Sequence, residues 1–291
     1  MRALLLDATR AIPRVSDVPD PVVPDDGVVI RVAATGLCRS DWHAWAGHDG
    51  DIVFPHVPGH ELAGIVEAVG SSVTRWHGGE RVTVPFVCGC GRCEWCLAGD
   101  AQVCPDQQQP GFTHWGSFAE LVAIHAADAN LVAVPDDVDL ATAAALGCRF
   151  ATAYRALVAR ARVIPGEWVC VVGAGGVGLS AVMIAKALGA RVVVIDRNPE
   201  ALRIARELGA EHTVLSGAGS TSSFSSSSSS PGLGLDFSFR FESASASAGL
   251  GGSPDVDVDV ASAVHALTGG GAHVAVDAVG SEQTCADAIH S

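Results

Sequence analysis

Positive charge is scarce in this sequence. Its 291 residues include 18 Lys and Arg against 32 Asp and Glu, which gives a formal net charge of −14. Nucleic-acid binding depends on attraction to backbone phosphates, so an acidic chain without a basic cluster is not expected to bind nucleic acid. A secretion signal is also lacking, because no N-terminal segment joins a basic start to an apolar run and a small-residue cleavage site. We therefore expect a cytoplasmic protein.

A convincing membrane span is lacking too. The uncharged stretch 168–185 in the middle of the chain is close to the length of a span. It contains Gly173, Gly175, Gly176 and Gly178, which suit a turn better than a lipid-facing helix. Hydrophobic residues make up 48% of the chain, enough for a folded core, and the length suggests two domains.

Nine cysteines are present, an odd number that is not typical of a disulfide scaffold. Four of them follow the pattern Cys90-x2-Cys93-x2-Cys96-x7-Cys104. Four thiolates at such spacings can surround one Zn²⁺ tetrahedrally, and a closed four-sulfur shell is a structural site. Free surface cysteines are the alternative. Cys88 lies outside the pattern and is left unassigned.

The N-terminal half reads as short β-strands separated by Pro and Gly. The segments 28–32, 64–69 and 81–84 are strand-like, and the connectors between them are rich in turn residues. This pattern predicts an all-β or barrel-like half with long loops. The cysteine cluster lies in one of these loops.

After Pro135 strands and helices alternate. We expect helices over 139–161, 177–188 and 261–267, and strands over 168–172, 191–195 and 273–276. Asn198 followed by Pro199 predicts the start of a further helix, which Gly209 ends. Alternating strands and helices indicate a parallel sheet.

One segment breaks this regularity. Residues 216–254 are rich in Ser and Gly and include an uninterrupted serine run over 225–230. Such a composition cannot bury enough apolar surface to offset the entropy of ordering, which predicts a disordered insert. A phosphate-binding or regulatory serine tract and an error in the gene model are the alternatives.

A glycine-rich turn joins the predicted strand 168–172 to the next helix. It reads Gly173-Ala-Gly175-Gly176-Val177-Gly178, the arrangement that brings a backbone close to a pyrophosphate at a helix N-terminus. The pattern alone is weak evidence, since a glycine turn can be purely structural.

An acidic residue strengthens this interpretation. Asp196 ends the next strand, 23 residues after Gly173, where a ribose diol needs its acceptor. A carboxylate there repels a 2′-phosphate, which favours NAD over NADP. Arg197 beside it moderates that preference.

Three further residues have the right chemistry for a second metal. Cys38, His60 and Cys148 supply two thiolates and one imidazole, which would form an open zinc site with a position left for water or substrate. Each has an ordinary alternative, because buried cysteines usually act as small hydrophobes and single histidines are usually just hydrogen-bonded. Their spacing alone does not bring them together.

Taken in order, these motifs resemble the zinc-dependent medium-chain alcohol dehydrogenase family over nearly the whole chain outside the serine-rich segment. The resemblance implies a GroES-like β-barrel catalytic domain over 1–150, followed by a Rossmann-type parallel-sheet domain over 151–291 that is C-terminally incomplete. It also implies two zinc ions per chain. Cys38, His60 and Cys148 would bind the catalytic zinc, and Cys90, Cys93, Cys96 and Cys104 the structural one.

The family also implies a reaction. Zinc lowers the pKa of an alcohol so that an alkoxide forms near neutral pH, and a hydride passes to NAD; the substrate is a small alcohol, aldehyde or ketone. Ser40 would take the proton from the substrate and pass it towards His43 through the cofactor ribose. Asp41 would orient the imidazole ligand, and Glu61 would lie behind the metal and help exchange its fourth ligand. Arg39 would contact the pyrophosphate and Thr152 would lie near the nicotinamide.

The family extends for tens of residues beyond this C-terminus. Those residues supply the last strands of the cofactor sheet, including the strand that pairs subunits into the dimers or tetramers expected of the family. We therefore carry two hypotheses: an active zinc- and NAD-dependent enzyme, and a truncated zinc-binding relative without activity, with an exposed sheet edge. Trp42, Trp45, Phe86 and Trp115 are candidates for an apolar pocket, and ordinary core packing is favoured for at least two of them.

Overall fold

The computed structural model describes residues 1–217 and 259–291. These residues form two compact units, Met1–Val163 with Gly176–Ile184 and Ile164–Gly175 with Ala185–Ser291. The predicted disordered segment lies, apart from its first two residues, outside the part that the structure describes. In the described ranges, no helix has both the length and the apolar character needed to cross a bilayer.

The first unit is rich in β-structure, as predicted. Its two-stranded ribbon pairs β1 (Arg2–Leu5) with β2 (Arg14–Asp17), and its antiparallel sheet has the order β6-β3-β4-β5-β7. The elements after β2 are β3 (Val28–Gly36), α1 (Arg39–Ala46), β4 (Glu61–Val69), β5 (Arg81–Thr83), α2 (Glu94–Leu97), β6 (Leu121–Ile124), α3 (Ala127–Asn130) and β7 (Val132–Ala133). Fully buried side chains from β3, β4 and β5, among them Ile30, Leu62 and Val82, form the core of this sheet.

The segment predicted as one helix over 139–161 is helical but not uniform. It begins with α4 (Leu140–Ala144) and continues through a π-helical turn at Leu146–Phe150, then α5 (Ala151–Tyr154), then a second π-helical stretch at Arg155–Ala161. The carbonyl of Gly147 accepts a hydrogen bond from the backbone N–H of Phe86 (3.0 Å), a residue outside the helix. This π-helical turn carries Cys148.

The second unit contains the predicted parallel sheet. Among the described residues, its strands have the order β10-β9-β8-β11, with β8 (Trp168–Val172), β9 (Arg191–Asp196), β10 (His212–Leu215) and β11 (Val274–Asp277). All five residues of β8 are buried, as expected of a strand covered on both faces. The helices of this unit are α7 (Pro199–Glu207), α8 (Val260–Thr268) and α9 (Glu282–His290), while α6 (Gly176–Ala187), which follows β8 in the chain, belongs to the first unit up to Ile184.

The start of α7 confirms the predicted helix boundary. The Asn198 side chain accepts a hydrogen bond from the N–H of Glu200 (2.9 Å), and Pro199 occupies the first helical position. Gly209, just after the helix, has φ of +111°, a conformation that favours glycine. Local chemistry fixes both ends of this helix.

Candidate metal centres and cofactor site

Cys38 is placed by the start of α1. It occupies the N-cap position, and its backbone N–H donates to Oδ2 of Asp41 (2.8 Å), the third residue of the helix. The Sγ of Cys38 lies 3.8 Å from the Oγ of Ser40. The helix N-terminus therefore holds Cys38, Ser40 and Asp41 in one fixed arrangement.

The other carboxylate oxygen of Asp41 orients His60. Oδ1 accepts from Nδ1 of His60 (3.2 Å) and from the backbone N–H of Gly59 (3.2 Å). Both side chains are buried, with exposures of 4% and 1%. The opposite ring nitrogen, Nε2, has no hydrogen-bond partner among the described residues. A buried nitrogen left unsatisfied is costly, and a metal ion would satisfy it.

Cys148 completes this cluster. Its Sγ lies 4.0 Å from the Sγ of Cys38, although 110 residues separate them in the chain. Ligand atoms of Cys38, His60, Glu61 and Cys148 all lie within 4.8 Å of one another. Two sulfurs and one imidazole nitrogen are donors that Zn²⁺ prefers, so these residues fit the metal expected here.

Protonation in this cluster follows from the close packing of its polar groups. The hydrogen bond from Cys148 lowers the pKa of Cys38 to about 3, against the opposing effect of burial. The resulting thiolate, together with burial, raises the pKa of Cys148. Burial lowers the pKa of His60, but Asp41 and Cys38 outweigh it and raise that pKa to about 9. The metal-free cluster therefore contains a thiolate, an imidazolium and a neutral thiol.

Glu61 is buried beside the ligands. Its carboxylate pairs with the guanidinium of Arg149, whose Nε donates to Oε1 (3.0 Å) while Nη2 donates to Oε2. The sequence singled out Glu61 through the family resemblance but missed Arg149. Nothing local points to a pair of residues 88 positions apart.

The four-cysteine group is also assembled. The Sγ atoms of Cys90 and Cys96 are 4.0 Å apart, those of Cys93 and Cys104 are 3.7 Å apart, and all four lie within 4.8 Å of one another. Gly89 is required here, because a Cβ at that position would lie 2.7 Å from the Sγ of Cys96. Four sulfurs with no other donor type fit a structural zinc ion.

Cys88 does not join that group. It is 3% exposed, packs in the hydrophobic core of the first unit, and lies 3.4 Å from the carbonyl of Pro85. Burial raises the pKa of its thiol to about 12. The unassigned cysteine is therefore a core residue in the structure.

A cavity of about 490 Å³ opens beside His60. Its lining includes Ser40, His43, His48, Phe86, Gln109 and Phe112. Nδ1 of His43 lies 2.9 Å from Nδ1 of His48, and the rings of Phe86 and Phe112 lie 6.4 and 5.2 Å from the His60 ring. The two predicted relay residues and the imidazole ligand thus face one partly aromatic cavity.

The four candidate aromatic residues do not share this cavity. Phe86 lines it, whereas Trp42 and Trp45 line a separate apolar cavity with Leu4 and Pro58. Trp115 packs against the core formed by β1, and its Nε1 donates to the carbonyl of Pro55 (3.2 Å). Of the four candidates, only Phe86 lines the cavity beside His60, and Trp115 is a core residue, as the core-packing alternative expected.

The predicted cofactor residues of the second unit border a cavity of about 730 Å³. Gly173 has φ of +96°, and a Cβ there would lie 2.5 Å from a methyl carbon of Val279. Asp196 accepts from the N–H groups of Ala174 (2.6 Å) and Asn198 (2.8 Å), so both carboxylate oxygens are fixed. Arg197 lines the same cavity.

The remaining predicted cofactor residues, except Gly175, lie on helices. Helix α6 begins at Gly176 and therefore includes Val177 and Gly178, while Gly175 precedes it in the turn. Thr152 is exposed on α5, and the Arg39 guanidinium lies 5.0 Å from the centre of the Trp42 ring. Sequence reasoning did not identify the acidic side chains that also line the Asp196 cavity, Asp259 and Asp287.

Two family models match the chain. Residues 24–136 match the alcohol dehydrogenase GroES-like domain and residues 176–241 match the zinc-binding dehydrogenase domain. These matches confirm the predicted combination of a GroES-like domain with a Rossmann-type sheet.

Among curated relatives, an alcohol dehydrogenase of Geobacillus stearothermophilus is 38% identical over 218 residues, which cover 74% of this chain and 63% of the relative. An L-threonine 3-dehydrogenase of Rhizobium etli is also 38% identical over 218 residues, covering 74% and 62%. The chain therefore spans less than two thirds of the length of these relatives.

Solved structures of alcohol dehydrogenases are also similar to this chain. The alcohol dehydrogenase from Thermus sp. ATN1 is 33% identical and superposes with a TM-score of 0.69, covering 74% of this chain and 63% of that one. The alcohol dehydrogenase from Aeropyrum pernix is 28% identical with a TM-score of 0.78, covering 100% and 75%.

Proposed function

This chain belongs to the zinc-dependent medium-chain alcohol dehydrogenase family, and from that premise we propose that it transfers a hydride between an alcohol and NAD. One observation carries the proposal. Cys38, His60 and Cys148 converge, and the buried Nε2 of His60 lacks a partner among the described residues. Such an arrangement costs stability unless a metal ion is bound there.

These three residues would hold the catalytic zinc, and Cys90, Cys93, Cys96 and Cys104 would hold the structural one. When bound, the catalytic ion supplies Lewis acidity at a substrate oxygen. Asp41 fixes the His60 ring through Nδ1, so that Nε2 is the atom available for the metal.

Proton movement falls to Ser40 and His43. Both line the cavity beside His60, and His43 is exposed to solvent. As the Ser40 hydroxyl accepts the proton of the substrate hydroxyl, it releases its own proton towards His43, and the imidazole of His43 passes a proton to water. An imidazole suits this task because its ordinary pKa lies near neutrality.

The cofactor preference follows from charge. Asp196 is held by two backbone N–H groups, and Asp259 and Asp287 line the same cavity with the single cation Arg197 among its described lining residues. A 2′-phosphate would meet this negative charge. NAD is therefore preferred, and the bound nicotinamide supplies the hydride acceptor.

The substrate is proposed to be an alcohol, or the matching aldehyde or ketone, with an apolar or aromatic group. Phe86 and Phe112 give the cavity beside His60 two aromatic rings close to the metal ligand. Offset contact between rings favours an aromatic substituent there. The family also leads us to propose a homo-oligomer, a dimer or a tetramer, which light scattering tests directly.

The first experiment measures zinc content and NAD reduction on the same preparation. Two zinc ions per chain with NADH formation from primary or secondary alcohols support the enzyme. Two zinc ions without NAD binding or turnover support the catalytically silent relative instead. A chain that retains one zinc ion or none contradicts the ligand assignment on which the proposal depends.

A second experiment tests the cofactor assignment. Asp196→Ala should lower the preference for NAD over NADP, because the carboxylate that binds the ribose diol and repels a 2′-phosphate is removed. Asp287→Ala, which removes another carboxylate of the same cavity, should lower the preference less, because Asp287 is not the proposed ribose ligand. A preference that Asp196→Ala leaves unchanged refutes the ribose role.

A further inference from the structure

Glu61 is an unused ligand at the edge of the catalytic metal site. Its side chain is 0% exposed, and one of its carboxylate oxygens lies within 4.8 Å of the ligand atoms of Cys38, His60 and Cys148. A carboxylate oxygen is itself a good zinc ligand. Four protein ligands would close the coordination shell, whereas catalysis needs one position left for substrate.

Arg149 fixes the orientation of the Glu61 carboxylate. Its Nε and Nη2 each donate to a different oxygen of Glu61, and Nη2 also donates to the carbonyl of Leu37 (3.1 Å). The paired geometry of a guanidinium and a carboxylate fixes orientation as well as charge. The Leu37 contact in turn anchors the guanidinium to the backbone just before Cys38.

The backbone on the other side is shaped around the same carboxylate. A Cβ at Gly36 would lie 2.2 Å from Oε2 of Glu61, so any side chain at that position would displace it. Gly36, at the end of β3, therefore leaves the space into which Arg149 draws Glu61. Gly36 and Arg149, which lie far apart in the sequence, therefore specify one orientation of the buried Glu61 carboxylate.

We propose that Arg149 is a positioning residue that keeps Glu61 from becoming the fourth protein ligand of the catalytic metal. A carboxylate in a low-dielectric site needs a cation nearby. Without Arg149, the bound metal ion would be the cation nearest to the Glu61 carboxylate. The inference rests on the metal site of the proposed function but does not depend on turnover.

A purely structural role makes a different prediction. If Arg149 only neutralises a buried charge, its loss would destabilise the fold without changing metal coordination. Replacing Glu61 as well would then restore the stability of the fold, and metal coordination would be the same in the wild type and both variants. The two roles are therefore separated by a spectroscopic measurement on folded protein.

The experiment uses protein with Co²⁺ in place of zinc at the catalytic site, because the visible absorption of Co²⁺ reports its ligands. Imidazole is titrated as a neutral probe of the open position. Arg149→Met should weaken imidazole binding by about tenfold or more, since a protein ligand then competes for that position. The double variant with Glu61→Gln should return close to the wild-type affinity.

The test includes an alternative variant and a control. Arg149→Lys retains the charge but not the paired geometry, and should show a smaller effect in the same direction if Arg149→Met does not fold. Arg155→Met is the matched control. Arg155 lies in the same helical segment as Arg149, but it pairs with Asp100 and not with Glu61. This variant should bind imidazole as the wild type does.

An Arg149→Met protein with wild-type imidazole affinity and spectrum overturns the inference, and so does a double variant as impaired as the single one. Either result leaves the proposed function intact when the wild-type protein binds cobalt and imidazole. A wild-type protein that takes up no cobalt at Cys38, His60 and Cys148 overturns both.

Discussion

Replacing Asp41 by Asn should release zinc from the catalytic site and leave the four-cysteine site loaded. Asp41 is 4% exposed and accepts hydrogen bonds from three donors: the N–H groups of Cys38 and Gly59 and Nδ1 of His60. An asparagine of the same shape has one oxygen and one NH₂ group. At least one of these donors must then face another donor.

The magnitude follows from that mismatch. One buried donor left unsatisfied costs about 1–3 kcal/mol. The bond from His60 also loses its assistance from charge, and this bond holds the ring in place for the metal. Since about 1.4 kcal/mol corresponds to a factor of ten, we expect zinc affinity at this site to fall by about ten- to hundredfold.

A chelator titration with a chromophoric probe measures the two zinc ions separately. Asp128→Asn is the matched control, because Asp128 likewise accepts from three donors, on Thr74 and Arg75, and touches neither cluster. It should lower the free energy of unfolding but leave both zinc affinities unchanged. Equal zinc loss in both variants, or none in Asp41→Asn, would refute the argument.

Two further variants test separate parts of the structure. Cys148→Ala should lose the catalytic zinc and all activity while retaining the structural zinc, with the exposed Cys285→Ala as control; activity that survives in Cys148→Ala refutes the ligand set. Burial and the neighbouring His125 lower the pKa of His114 from 6.5 to about 4, so the unfolded chain binds the extra proton between these values and stability falls as the pH is lowered through them. Between pH 7 and pH 4, His114→Gln should lose up to ~3 kcal/mol less free energy of unfolding than the wild type, as measured by urea titration. The exposed His77→Gln should lose as much as the wild type. The same pH dependence of stability in both variants would contradict this prediction.

Local patterns in the sequence were enough where the chemistry is local. The four-cysteine group follows from spacing, and its sulfurs meet as that spacing requires. The cap at Asn198 and the buried strands β8 and β9 depend on neighbouring residues in the same way. In each case the partners lie within one segment, so composition and period determine the outcome.

Patterns that depend on tertiary contacts were not predictable from spacing. Cys38 and Cys148 were grouped with His60 only through the family resemblance, because nothing in their separation requires contact. The π-helical turn at Cys148 was missed as well, because the composition of residues 139–161 indicates a helix but not its type. The functional roles of the residues remain predictions, while their convergence is a property of the fold.

The protonation of the catalytic cluster links the metal to the fold around it. Without metal, the lowered pKa of Cys38 leaves a thiolate, while the raised pKa values of His60 and Cys148 leave one proton on each. A divalent cation binds these donors only in their deprotonated forms, so it replaces two protons and brings the same charge. The surrounding groups, Asp41 and the Glu61–Arg149 pair, therefore meet an unchanged total charge in either state.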